Sequence, residues 1–366
     1  MRFGATVSPG WCFSTLLLCA AVFAQPTPNI DGNYQQLRKL GLQTGGISVE
    51  KVTLKRDAVT FQFNSGVVCF VTSVNHKVTG AVFVGDGKLL LDPPVASERA
   101  SLSVLTKEKD YHETFDHLVL RFTDGTYDEL KSAGKPGAAS CDPALLRKSA
   151  HAMRKELSYN LDARILQDVV SSEPGGLFVA FVHGKRYDGK TLFAIDPYGA
   201  PGVYPEEISW ETYDESKLGI WAAFHYASEY AAGTATSAQA NSVIHIDHQE
   251  LDTGIDKSGN IDGKAGITVA SRTSGLQVVP FSLFRTLRVT SVIGPTGTPL
   301  NFIQEDKTED PQFWVVLDKP LSKNERFVIT VKYGGKDAVS AEGGGNYYPI
   351  ARTPSQGSSA NTPPTT

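Results

Sequence analysis

The sequence lacks any run of basic residues, any apolar stretch beyond its first 24 residues long enough to cross a bilayer, and all but four cysteines in 366 residues. Each absence removes a class of function. With a formal net charge of −4 and no clustered Lys or Arg, the chain offers little electrostatic footing to nucleic acid or to an anionic membrane surface. The one long apolar run, "CFSTLLLCAAVFA", is shorter than a membrane span and sits behind Met1-Arg2, the layout of a secretory signal peptide. Val22-Phe23-Ala24 before Gln25 supplies the small residues that cleavage requires. We therefore expect a signal peptide over 1–24 and an exported mature chain without a membrane span, periplasmic or extracellular. Cys19 follows leucines instead of the small residue a lipidation site wants. Only Cys69 and Cys141 remain after cleavage, and an oxidising compartment lets them pair. Two buried thiols are the alternative, because a pair of cysteines does not specify its own connectivity.

Catalytic signatures are missing too. There is no G-x-S-x-G nucleophile elbow, neither mature cysteine has a recognisable catalytic setting, and H-E-x-x-H occurs nowhere. We expect no catalytic residue, no metal ligand and no cofactor. Gly184, four residues, then Gly189-Lys190-Thr191 in "VHGKRYDGKTLF" satisfies the letters of a nucleotide-binding phosphate loop. Such a loop must feed a helix, whose N-terminus holds the anion. Here Thr191 leads into the short apolar run "LFAIDP", so the segment reads as a β-hairpin with a polar tip. His245 and His248 in "HIDHQE" suggest a metal pair, but on a regular strand they point to opposite faces. "DTGIDKSGNIDG" offers several oxygen ligands yet lacks the glycine and glutamate that a calcium loop places at its sixth and twelfth positions. It reads as a polar hairpin loop.

What the chain does contain is β pattern. With 41% hydrophobic and 20% charged residues it can bury sizeable cores, and its length suggests about two domains. From Ile47 to Phe122 short alternating runs follow one another: "ISVEKVTL", "AVTFQFN", "VVCFVTSV", "VTGAVFVG", "KLLLDPP", "ASLSVLT" and "HLVLRFTDG". Asn64-Ser65-Gly66, Gly85-Asp86-Gly87 and Asp124-Gly125 read as tight connections with positive φ. Helical period begins at Asp142-Pro143, a cap followed by a proline at the first helical position. Leu146, Ala150, Met153 and Leu157, then Leu161, Ile165, Leu166 and Val169, predict two helices near 143–171. Strands resume at "GLFVAFVHG". The small-residue stretch "AAGTATSAQA" reads as a linker, and five further strand-like runs follow it. The expected organisation is mainly β. A β-rich first domain over 25–229 carries the two-helix layer, a linker or exposed loop spans 230–240, an antiparallel β-sandwich or curved sheet spans 241–346, and a disordered tail spans 347–366.

The second region resembles the amino-terminal β-domain of zinc aminopeptidases related to aminopeptidase N. The resemblance rests on the succession "VIHIDHQELD", "IDGKAGITVAS", "GLQVVPFSLFRTLRVTSVIGPTGTPLNFIQED" and "FWVVLDKPLSKNERFVITVKYGG", about a third of the chain. The preceding region, with "VTGAVFVGDGKLLLDPP" and "HLVLRFTDGTYDELK", is similar to the extra front region of large exported bacterial proteins of this metallopeptidase family. In that family the zinc ligands and the base belong to a later domain, so the resemblance transfers no catalytic or metal residue here. It implies a truncated, non-catalytic binding or interaction module with a protein or peptide partner. Val278, Val279, Pro280, Phe281 and Leu283 are candidates for an exposed interaction patch, or else fill the sandwich core. Two alternatives remain: one half of a split zinc aminopeptidase, and a carbohydrate- or surface-binding sandwich using Trp210, Trp221 and Tyr226.

Overall fold

The structure is a computed structural model that describes residues 30–187, 189–214, 219–238, 241–343 and 346–349. The expected signal peptide over 1–24 and residues 350–366 of the expected disordered tail lie outside them, whereas its first residues, 347–349, belong to a strand over Asn346–Pro349. The chain is mainly β, built on two large antiparallel sheets.

The first part runs α1 Ile30–Arg38, β1 Gly46–Arg56, β2 Val59–Phe70, β3 Gly80–Leu91, α2 Ala96–Thr106, β4 Tyr111–Phe122, α3 Thr126–Ala133, β5 Lys135–Gly137, α4 Pro143–Lys155, α5 Leu161–Val170, β6 Phe178–Gly184, β7 Thr191–Ile195, β8 Ile208–Thr212, β9 Gly219–Phe224 and α6 Ala227–Ala232. Its nine strands form one sheet in the order β5-β1-β2-β3-β4-β6-β7-β8-β9, almost a plain meander. One face buries Phe61, Phe63, Phe83, Phe115, Phe178, Phe193 and Trp210 beneath α2 and α3. Full burial of each such ring contributes roughly 1.5–3 kcal/mol. The other face presents Val82, Val119, Val179 and Leu192 to α1, α4 and α5.

Several expectations need correction here. "ASLSVLT" is helical: it belongs to α2, whose Leu102 is buried while Val104 and Leu105 stay exposed. Its apolar residues alternate by chance, and the helix is held by its contacts with β9 and β4. Asn64-Ser65-Gly66 and Gly85-Asp86-Gly87 are not turns. They lie inside β2 and β3, at register slips between Phe63 and Ser65 and between Val84 and Gly87. These glycines do not have positive φ; they allow close approach. A Cβ on Gly85 would stand 2.2 Å from the Ser65 carbonyl oxygen, and one on Gly87 would stand 2.1 Å from the Phe115 ring. The bulges bend the sheet into its curl. Gly125 is the N-cap of α3, at φ −71°.

The second part comprises β10 Ile244–Ile255, β11 Ile261–Ser271, β12 Leu276–Ser282, β13 Leu287–Ile293, β14 Pro299–Ile303, β15 Gln312–Leu321 and β16 Arg326–Gly335. They form a seven-stranded sheet in the order β10-β11-β16-β13-β14-β15-β12. A short hairpin, β17 Val339–Gly343 with β18 Asn346–Pro349, follows.

The predicted helices over 143–171 are present. Asp142 accepts a hydrogen bond from the Ala144 amide at 2.8 Å with Pro143 at the first position of α4, and Leu146 and Met153 are buried. In α5, Leu161, Ile165, Leu166 and Val169 are buried. α5 does more than cover the first sheet. Its other side meets β12, where Gln167 Nε2 donates to the Val278 carbonyl at 3.0 Å, and Val278, Ile303, Trp314 and Val316 join the same apolar cluster. Arg38 adds ion pairs to Glu305 and Glu309 at 3.2 and 3.1 Å. Within the first part, Arg164 binds Asp196 through Nε and Nη2 at 2.8 and 2.9 Å and Asp168 through Nη1 at 2.8 Å. All three side chains are buried. Cys69 and Cys141 are joined as a disulfide, with Cα atoms 6.0 Å apart.

Candidate functional site

A groove of about 920 Å³ opens on the seven-stranded sheet. It is lined by Ala265 and Ile267 of β11, Val331 and Tyr333 of β16, and Phe281 and Phe313. β10 forms its outer border. Among the described residues this strand is an edge, with β11 as its sole neighbour in the sheet, and every residue after Ile244 is exposed.

The register shows what β10 presents to the groove. Ile246, Gln249, Leu251, Thr253 and Ile255 stand opposite Val269, Ile267, Ala265, Gly263 and Ile261. Directly opposed residues share a face. The apolar side of the β10–β11 ribbon therefore continues the groove, and Ile246, Leu251 and Ile255 remain 41%, 63% and 40% exposed on it. The reverse face carries His248, Glu250 and Asp252, opposite Thr268, Gly266 and Lys264.

A bulge in this strand overturns one expectation. The ladder slips between Ile246 and His248, so Asp247 is surplus, and His245 and His248 stand opposite Ala270 and Thr268. These are two apart on β11, so the histidines share a face, contrary to strict alternation. Neither joins a group of three metal-ligating side chains among the described residues. His245 instead lies against Arg272 and Asp247.

The predicted patch residues divide between core and groove. Val278 and Val279 are fully buried and Phe281 nearly so, while Pro280 and Leu283 are half-buried. Pro280, Phe281 and Leu283 line the groove. Trp210 is fully buried, and Trp221 and Tyr226 pack partly buried against the same core. Tyr111 meets Trp210 and Trp221 edge-on and stacks on Tyr187, so these rings are engaged with one another.

The phosphate-loop lookalike is a hairpin between β6 and β7, with Val182 opposite Thr191. Its backbone amides do converge on an anion, but the anion belongs to the protein. Glu113, 1% exposed, accepts from the amides of Thr114, Lys185, Arg186 and Tyr187 at 2.8, 3.1, 3.0 and 3.2 Å. "DTGIDKSGNIDG" is likewise a hairpin. Asp256 accepts from the Ser258 and Asn260 amides and from Asn260 Nδ2, and these bonds hold its carboxyl below the usual range.

Two clusters of metal-ligating side chains went unseen in the sequence, because each joins a close pair, His225 and Glu229 or Asp116-His117, to a third residue, Glu207 or His183, brought in from a distant part of the chain. In the first, Glu207 Oε2 is 2.8 Å from His225 Nδ1, with Glu229 Oε2 at 3.6 Å. The other oxygen of Glu207 accepts from Asn241 at 2.7 Å, and Asn241 also donates to the Pro205 carbonyl. Both carboxylate oxygens are therefore occupied in a buried tie linking the ends of β8 and β9 to residue 241. The second cluster, Asp116, His117 and His183, lies on β4 and β6. Burial, then the neighbouring His183, lowers the His117 pKa.

No family model and no curated protein matches the sequence. Solved structures give a local match. The M1 zinc metallopeptidase of Deinococcus radiodurans aligns at 21% identity over 26% of this chain and 21% of its own, with a TM-score of 0.23. A mutant of the two-domain M1 zinc metallopeptidase bound to L-arginine aligns at 21% identity over 27% of this chain and 22% of its own, also at 0.23. The chain thus spans about a fifth of the length of the solved structures it matches.

Proposed function

We propose that the mature chain is an exported, non-catalytic binding module that receives an extended polypeptide segment along β10, over the groove of the seven-stranded sheet. The observation that carries this reading is the apolar row Ile246, Leu251 and Ile255, left exposed on a twelve-residue edge strand beside an open groove. An edge strand presents unpaired backbone donors and acceptors, and a bound peptide adds a strand to it. The side chains supply the specificity. Alternate residues of the guest fall over the groove and should be apolar. Those between them face Glu250 and Asp252 and should be basic, since opposite charges across a strand pair are favourable. The aminopeptidase-like succession over 241–346 supports a partner within a larger assembly of that kind, with this chain as its non-catalytic part.

Hydrogen exchange tests the reading. An alternating apolar–basic peptide should protect the amides of residues 246–255, and Leu251→Asp should abolish that protection without unfolding the protein. Binding that leaves β10 exchange unchanged would refute it.

A further inference from the structure

β4 and β6 are neighbours in the nine-stranded sheet, and their pairing sets His117 directly opposite His183. Such residues share a face, with Cβ atoms about 4.5–5.5 Å apart. The ladder then slips between Phe115 and His117, which makes Asp116 the surplus residue of a bulge. On a regular strand Asp116 would face away from His117. Here its Oδ1 lies 2.6 Å from His117 Nδ1 and 3.3 Å from His183 Nδ1. The two imidazoles stack with centroids 4.1 Å apart and planes 20° from parallel.

We propose that Asp116, His117 and His183 form a site for a divalent transition-metal ion, held by two imidazole nitrogens and one carboxylate oxygen. The donor set is right for it: imidazole and carboxylate together suit zinc, copper, nickel and iron, whereas calcium and magnesium take oxygen alone. The spacing fits as well. Tetrahedral ligands bonded at 2.0–2.1 Å stand roughly 3.3 Å from one another. The Asp116–His183 pair already has this separation, and the Asp116–His117 pair needs to open by about 0.7 Å to reach it. The ion takes the place of the proton that the short contact now shares.

A hydrogen bond alone does not account for the arrangement. One histidine suffices to partner an exposed aspartate, and surface pairs of this kind are worth only about 0–1 kcal/mol. Yet a second imidazole, 54% exposed, turns its Nδ1 to the same oxygen. The site is open to solvent, with Asp116 and His183 about half exposed, and an ion enters it once the stacked rings splay so that both Nδ1 lone pairs, each in its own ring plane, point at the ion. Three protein ligands also leave coordination positions free, as in catalytic and not structural zinc sites. His117 and His183 border a cavity of about 700 Å³ that is also lined by His151, Glu156, Lys190 and Tyr213. A ligand on the ion would meet these groups.

The test is equilibrium dialysis of the full mature chain against Zn²⁺, with electron paramagnetic resonance of the Cu²⁺ form. We expect one ion per chain and hyperfine structure from two nitrogens. His117→Gln, His183→Gln and Asp116→Asn should each weaken binding by about tenfold or more, with circular dichroism unchanged. His225→Gln, in the buried tie described above, should leave the ion count as it was. No retained ion in the wild-type chain would overturn the proposal, as would an ion that survives the double replacement of His117 and His183.

Discussion

The two large sheets handle their faces differently. In the nine-stranded sheet, β7 and β8 are buried at every position, because aromatic core and α2–α3 lie on one side and α1, α4 and α5 on the other. In the seven-stranded sheet, β11 alternates strictly and β10 is exposed almost throughout. An element buried on both faces has spent its apolar surface on folding. An element with apolar side chains still in water has surface left for a partner. That contrast, more than any motif, directs attention to β10.

The sharpest way to break the comparison is to damage the two-sided layer. Arg164→Ala leaves Asp168 and Asp196 buried without their partner, and removing one member of a buried pair costs about 3–5 kcal/mol. Urea denaturation should register the loss. The disulfide comes next. It closes a loop with a sequence separation of 72 residues, for which the chain-entropy model gives about 4.4 kcal/mol. Cys69→Ala with Cys141→Ala should lower the urea midpoint accordingly. Which sheet responds is informative. Trp210 and Trp221 report on the nine-stranded sheet and Trp314 on the other side of α5. A midpoint that moves for all three shows that the shared cluster around α5 couples the sheets. One that moves only for Trp210 and Trp221 shows that they unfold separately.

Much of this was legible in local pattern. Asp142-Pro143 marks the start of α4, and Ile165, Leu166 and Val169 mark the buried side of α5, since caps and a 3.6 period act within a few residues. The hairpin at Gly184–Gly189 could be read because a phosphate loop must be followed by a helix. What could not be read depends on register. Gly85 and Gly87 look like turn residues until the neighbouring strand is in place, and Asp116 and Asp247 become surplus only against β6 and β11. A bulge is a relation between two strands, so both the shared face of His245 and His248 and the cluster of Asp116 with two histidines were invisible in one strand's sequence. The exposure of β10 was hidden for a similar reason: "IHIDHQELDTGI" reads the same whether or not something covers it.

A smaller effect tests how completely the first sheet excludes water. Glu211 on β8 is buried, its Oε1 finds no hydrogen-bond partner among the described residues, and burial raises its pKa to about 7. The folded chain then holds a proton that the unfolded chain releases at the ordinary glutamate value near 4.3. Between these values the native state binds more protons, so stability falls as pH rises and levels off above about 7. The loss is on the order of 3 kcal/mol. Glu211→Gln should flatten the curve of stability against pH across that window. An unchanged slope would mean that Glu211 is solvated or paired.

The smallest expected change in stability carries the most weight for function. Leu251 of β10 and Ile267 of β11 lie on the same face of neighbouring strands, yet Leu251 is 63% exposed and Ile267 6%. Ile267→Ala removes buried methyl groups and should cost about 2–5 kcal/mol. Leu251→Ala should stay within about 0.5 kcal/mol of wild type. A leucine that contributes so little to the fold is a liability on a long edge strand, where lysine or proline would protect against unwanted pairing. Its presence makes sense if pairing is the purpose. Calorimetric titration with the alternating peptide should therefore show Leu251→Ala weakening binding by about tenfold, the equivalent of the 1.4 kcal/mol that partial loss of one buried leucine supplies. Equal affinity in the two proteins would place the partner elsewhere and leave the exposed row of β10 as an ordinary feature of a folded surface.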